Sequence, residues 1–191
     1  MRLHAPVLAL ALSATAVPAL AAEEQYAIDD GHTFVTFEIS HIGFAWIPGT
    51  FNDMSGSFTY DPENRSNSSA EFTVMTKSLD TNHAKRDKHL RGEDFFNVSK
   101  YPKATFESTS YEPTGENTAV LKGDLTIKGT TKPVELQVTE MAAREDPWGN
   151  FRRAFQATTE ISLDAFNVDE YGLGEASSTA ELRIAVEGLR Q

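Results

Sequence analysis

The sequence predicts a mainly β protein, a single antiparallel barrel of about eight strands with one short helix around residues 83–91. Three observations predict it. Apolar side chains recur at every second position in successive short runs, the period of a strand with one buried face. Turn residues separate the runs at hairpin-like intervals. Closing such a sheet on itself removes the exposed edges that would otherwise invite aggregation.

The chain opens on Met1-Arg2-Leu3-His4, an almost wholly apolar stretch over residues 5–17, and the small-residue pattern Ala19-x-Ala21. That is the layout of a secretory signal peptide, with cleavage expected after Ala21 and a domain expected over residues 22–191. The apolar run falls short of the roughly 20 residues that span a bilayer. No Cys stands at the cleavage site to carry a lipid anchor.

The strand runs follow in order. Val35, Phe37 and Ile39 alternate with Thr36, Glu38 and Ser40. Phe58 and Tyr60 alternate with Ser57 and Thr59, and Asp61-Pro62-Glu63-Asn64 ends that run. Phe72, Val74 and Thr76 form the third run, and residues 105–111 the fourth, stopped by Pro113-Thr114-Gly115. Leu121, Leu125 and Ile127 share parity before the turn at 128–133. Val134, Leu136 and Val138 form one more run, Phe155 to Leu163 another, and Leu182, Ile184 and Val186 the last. Asp80-Thr81-Asn82 can cap a helix, and Gly92 can stop it. Pro147-Trp148-Gly149-Asn150 reads as a turn, and residues 164–174 as an irregular stretch.

The chain has 28 acidic against 17 basic residues, a net charge of −11. Such a surface repels nucleic acid and anionic membranes taken as a whole. After residue 21 no apolar run is long enough for stable membrane insertion. The absence of Cys removes thiol catalysis, thiolate metal sites and disulfides. No Gly-x-Ser-x-Gly elbow, phosphate-cradling loop or dinucleotide fingerprint occurs.

His83 and His89 are six apart, so on a helix they point about 240° apart and do not form a metal-binding pair. No metal and no cofactor is therefore expected. The same segment carries Lys85, Arg86, Lys88 and Arg91, the one strongly basic patch of an acidic chain. It could offer donors to a polar head group or serve only as a solvated cap. The chain holds 12 Phe, most of them on or beside the strands. An eight-stranded barrel either fills with such side chains or encloses one ligand, and periodicity does not choose between these. If it is hollow, burying ten lipid carbons supplies about 8 kcal/mol before ordering costs.

Several stretches resemble the YceI-like polyisoprenoid-binding family. They are His41-Ile42-Gly43-Phe44 with Gly49-Thr50-Phe51, and Leu79-Asp80-Thr81-Asn82 with Arg86-Asp87-Lys88-His89-Leu90-Arg91 and Asp94-Phe95-Phe96. Tyr101-Pro102-Lys103-Ala104-Thr105-Phe106, residues 123–134 and Asp146-Pro147-Trp148-Gly149 complete the likeness. The resemblance implies a lipocalin-like barrel around a long isoprenoid chain, a polyprenyl phosphate or an isoprenoid quinone. It also implies a periplasmic or secreted location and admits a homodimer.

Taking the more apolar parity of each strand, the expected lining is Phe37, Ile39, Phe58, Phe72, Val74, Phe106, Leu125, Leu136, Phe155 and Ile161. His41, Asn82, Arg86 and His89 are the candidates for the mouth and head group. Binding without catalysis is the leading expectation. The competing readings are an enzyme acting on such a lipid through His89 or His41, and a solid barrel that binds no lipid.

Overall fold

The structure, a computed structural model, describes residues 23–168 and 174–191. The expected signal peptide lies outside the described residues. Eleven strands are present: β1 (Glu24–Ile28), β2 (Phe34–Ser40), β3 (Trp46–Phe51), β4 (Met54–Tyr60), β5 (Ser69–Met75), β6 (Leu79–Asp80), β7 (Lys103–Pro113), β8 (Thr118–Ile127), β9 (Thr130–Glu145), β10 (Phe151–Ser162) and β11 (Thr179–Arg190). All neighbours are antiparallel, and β1 pairs with β11 to close the ring.

The eleven strands make an eight-stranded barrel because three of its staves are broken. β1 and β2 lie end to end along β11, interrupted by a tight turn at Asp30–His32. β3 and β4 face them in the same way, and β5 and β6 face β4 and β3. Each stave then pairs with its neighbours in sequence, so the barrel is an up-and-down meander. Three of these pieces, β1, β3 and β6, escape the sequence reading. β3 contains Pro48 and Gly49, which mimic turn punctuation.

Two-residue chemistry sets the tightest turn. Lys128 and Gly129 both have positive φ, 49° and 76°, the geometry that matches the twist of the strands they join. At the turn before β10, the Asp146 carboxylate accepts from the backbone N–H of Trp148 and of Asn150, both at 2.9 Å.

The helix α1 (Ala84–Leu90) lies within the expected 83–91 range. Its N-cap is His83, whose Nδ1 accepts from Arg86 N at 3.2 Å, in place of the expected Asp80-Thr81-Asn82 cap. Asn82 instead takes a left-handed conformation, φ 59°, which starts the turn into the helix. The meander places the β2–β3 turn, the 81–102 segment and the β8–β9 turn at one end of the barrel. The β4–β5, β7–β8 and β9–β10 turns and both strand termini, Glu24 and Arg190, lie at the other.

Candidate functional site

The barrel is hollow. Its interior is a cavity of about 710 Å³, lined by side chains from the wall strands and from α1. This lies within the range of about 300–1,000 Å³ typical of small-molecule sites. Phe37, Ile39, Phe58, Phe72, Val74, Phe106, Leu125, Leu136, Phe155 and Ile161 all face it.

Glycine explains why so many rings leave room. A Cβ on Gly49 would stand 2.2 Å from Phe37 Cζ, and one on Gly123 would stand 2.5 Å from Phe106 Cζ. A Cβ on Gly188 would stand 2.4 Å from Phe58 Cε1. At each of these positions a side chain would displace an aryl ring that lies against the bare backbone. The rings coat the wall instead of meeting at the axis. Two β-bulges also decide what faces inward. The extra residue Thr109 in β7 reverses parity, so Tyr111 turns into the lumen opposite Leu121. A register shift between β9 and β10 sets Phe155 opposite Glu140.

The mouth end is polar and built around Thr81. Arg86 Nε donates to Thr81 Oγ1 and one Nη donates to Thr81 O, both at 2.7 Å. The buried Asp87 carboxylate accepts from Thr81 N at 2.9 Å and from the Thr81 hydroxyl. Burial alone would raise the Asp87 pKa. The two Thr81 bonds, with the charges of Arg91 and Arg86, outweigh burial and hold the carboxyl below its ordinary value. Arg91 reaches back to Leu79 O, tying the helix end to β6.

His41, Arg86 and His89 all border the cavity, with Leu90, Phe95 and Phe96. His89 is 3.3 Å from Asp94 and meets Phe95 edge-on at 5.0 Å. Asn82, the fourth head-group candidate, is exposed and does not border the cavity.

The opposite end holds a charged cluster that the sequence did not single out. Arg153 projects inward from β10, almost buried, and donates to Glu140 at 2.6 Å, Glu24 at 3.0 Å and Tyr26 Oη at 3.2 Å. Its guanidinium lies 3.8 Å from the Tyr60 ring centroid. Tyr60 donates to Glu140 at 3.0 Å, and Arg190 reaches Glu24 at 3.0 Å.

The cluster shifts its own titrations. Burial would raise Glu24, but bonds from Tyr26, Arg153 and Arg190 hold it below the usual carboxylate range. Burial, then the Glu140 charge and hydrogen bond, push the Tyr60 phenol up to about 12. Arg153 shares the parity of Phe155 and Ala157. That charge in an apolar register was the available signal.

On the outer wall Asp29, His32 and Glu187 bring ligand-type atoms within 4.8 Å of one another. The guanidinium of Arg152 stands among them, 2.6 Å from Asp29, 3.1 Å from Glu187 and 2.7 Å from Asp146. Arg152 itself supplies the positive charge that this group balances.

A closed eight-stranded antiparallel barrel with a mainly apolar lumen is of the size and kind that can hold one small ligand. A family model, the YceI-like domain, matches residues 26–188, and the chain belongs to that family. A UPF0312 protein of Ectopseudomonas mendocina is 47% identical over 185 residues, 96% of this chain and 96% of the relative. A UPF0312 protein of Pectobacterium carotovorum is also 47% identical, over 96% of this chain and 94% of its own length. Among solved structures, Burkholderia cenocepacia BcnA superposes with a TM-score of 0.74 at 26% identity, over 84% of this chain and 98% of BcnA. A polyisoprenoid-binding domain from Saccharophagus degradans shares the fold, with a TM-score of 0.66 at 16% identity over 87% of this chain and 98% of that domain.

Proposed function

We propose that this protein carries or stores a long isoprenoid lipid in the cell envelope. The chain lies in the lumen and the head group sits at the mouth beside Arg86, His89 and His41. The observation that carries this reading is the hollow apolar interior of about 710 Å³, coated by aromatic rings and reached past a guanidinium. A lumen lined mainly by apolar side chains favours a hydrocarbon chain. The Arg86 side chain spends Nε and one Nη on Thr81. Among the described residues its other Nη makes no hydrogen bond, which suits the oxygen of a phosphate or a quinone. The polyisoprenoid-binding domain of Saccharophagus degradans supports the fold of such a carrier. The choice of ligand rests on the chemistry of the lumen and mouth.

Under this proposal residues 1–21 direct export and are removed, and the barrel works in the periplasm. Mass spectrometry of organic extracts from the purified protein tests it. A polyprenyl phosphate or isoprenoid quinone in stoichiometric amount is the expected result. Repeated extraction of no lipid, with no uptake of an added polyprenyl compound, overturns it.

A further inference from the structure

The turn between β2 and β3 carries an exposed apolar tip. Phe44 is 87% exposed, Trp46 57% and Ile42 51%. Ile42 also borders the cavity, as does the half-exposed His89 across the same end, so the tip stands where the cavity opens. The backbone of this tip is held by hydrogen bonds. Ile42 has φ 53°, a left-handed conformation that a β-branched residue adopts only at a cost. Its N–H is held by the Ser177 hydroxyl at 3.1 Å, and that hydroxyl in turn donates to Ser40 O at 2.8 Å. His41 N donates to Ala45 O at 2.7 Å and Phe44 N to His41 O at 2.9 Å, closing the turn beneath the two aromatic side chains.

Charge at this end is divided: the 77–103 segment is basic, whereas the β10–β11 connection at the same end carries Asp164 and Glu175. Residues 77–103 hold seven Lys and Arg against four Asp and Glu, in a chain whose net charge is −11. Lys77, Lys85, Lys88 and Lys103 are exposed, and among the described residues none has an ion-pair partner. One of the acidic groups, Asp87, is buried on Thr81 and offers little to solvent.

We propose that the mouth end docks on an anionic membrane surface, with Phe44 and Trp46 seated at the head-group level and the lysines of the 77–103 segment on acidic lipids. Aromatic side chains favour that depth, and interfacial binding scales with buried apolar area plus attraction to anionic lipid. The acidic remainder of the barrel is repelled by the same surface, so the two effects together orient the molecule mouth-first. No spanning segment is involved, and among the described residues no helix is long and apolar enough to cross a membrane. Docking rests on the lipid-carrier reading for its purpose: a chain that passes from bilayer to lumen at a seated mouth never crosses open water.

Vesicles of equimolar phosphatidylethanolamine and phosphatidylglycerol test it. Co-sedimentation of the exported protein at low ionic strength is expected, with weaker binding to phosphatidylcholine alone. The pair Phe44→Ser and Trp46→Ser should lower partitioning about tenfold or more. The pair Lys85→Glu and Lys88→Glu should lower the salt-sensitive part, and Trp148→Ser, at the far end, should change nothing. The chain has two Trp, so Trp148→Phe leaves Trp46 as the only reporter, and its emission should move to the blue on vesicles. The proposal fails if the unaltered protein does not bind, if the Phe44/Trp46 pair binds as well as it does, or if Trp148→Ser weakens binding equally. It also fails if the tip substitutions abolish self-association in place of vesicle binding. Lipid extracted from the Phe44/Trp46 variant separates the two ideas. Lipid retained without vesicle binding upholds both, whereas vesicle binding by a protein that never holds lipid leaves docking standing and removes the carrier reading.

Discussion

Replacing Gly49 by Ala should empty the barrel of ligand without unfolding it. The new Cβ would lie 2.2 Å from Phe37 Cζ, against the 3.4 Å at which ordinary contact begins, so the ring must move by about 1.2 Å or more. On the wall side it meets the backbone of β3, its register partner. On the other side it meets the lumen, so the ring swings inward. Overpacking of a solid core costs about 1–3 kcal/mol, and the free space beside Phe37 keeps the cost near the lower end. A ring thrust into the lumen takes the place of about four ligand methylenes. At about 0.8 kcal/mol each, that loses about 3 kcal/mol of binding, or roughly 100-fold in Kd. The assay pairs urea denaturation with titration of a long polyprenyl compound. The double variant Gly49→Ala/Phe37→Leu should recover most of the affinity, because it removes the displaced ring. Unchanged affinity in Gly49→Ala, or no recovery in the double variant, refutes the idea that glycine keeps the lumen open.

Three further outcomes follow from the ends of the barrel. Arg153→Met takes from Glu140 its charged partner and leaves Glu24 only Arg190, so urea denaturation at pH 7 should give a loss of about 3 kcal/mol that shrinks as acid neutralises the two carboxylates. Stability should be lost on both sides of neutrality. The depressed carboxyls Glu24 and Asp87 contribute above their ordinary range and cease to as pH falls through their folded values. The raised Tyr60 phenol contributes fully below its ordinary value near 10 and ceases to as pH rises to about 12, which a pH series of thermal melts would reveal. Arg86→Gln should weaken a polyprenyl phosphate about 10–100-fold, the worth of one charge-assisted bond, while leaving an uncharged prenyl chain nearly unaffected in the same titration.

Much of the wall was legible because a strand exposes its faces with period two, and one apolar parity sufficed to select Phe37, Phe72 or Ile161. The reading lapsed where backbone irregularity intervenes. Thr109 reverses the parity of β7, so alternation from Phe106 does not reach Tyr111. Pro48 and Gly49 hid β3, although Gly49 is in that strand to accommodate Phe37.

The floor left only one trace in the sequence, Arg153 in an apolar register, for a different reason. Arg153 and Glu24 are 129 residues apart and meet only when β1 and β11 close the ring. At the mouth, Arg86 and His89 were recognisable as a helix face. Asn82 lies off the cavity, and its left-handed backbone leaves no mark in composition. Whether the barrel is hollow depends on ring positions against glycine, which periodicity does not encode.

A crystal structure of the protein purified from its own host, with no lipid added, tests the central claim most directly. Continuous elongated density through the lumen, ending in a compact polar group beside Arg86, is the predicted result. An interior filled by inward-turned phenylalanines, or holding only discrete water peaks, contradicts it.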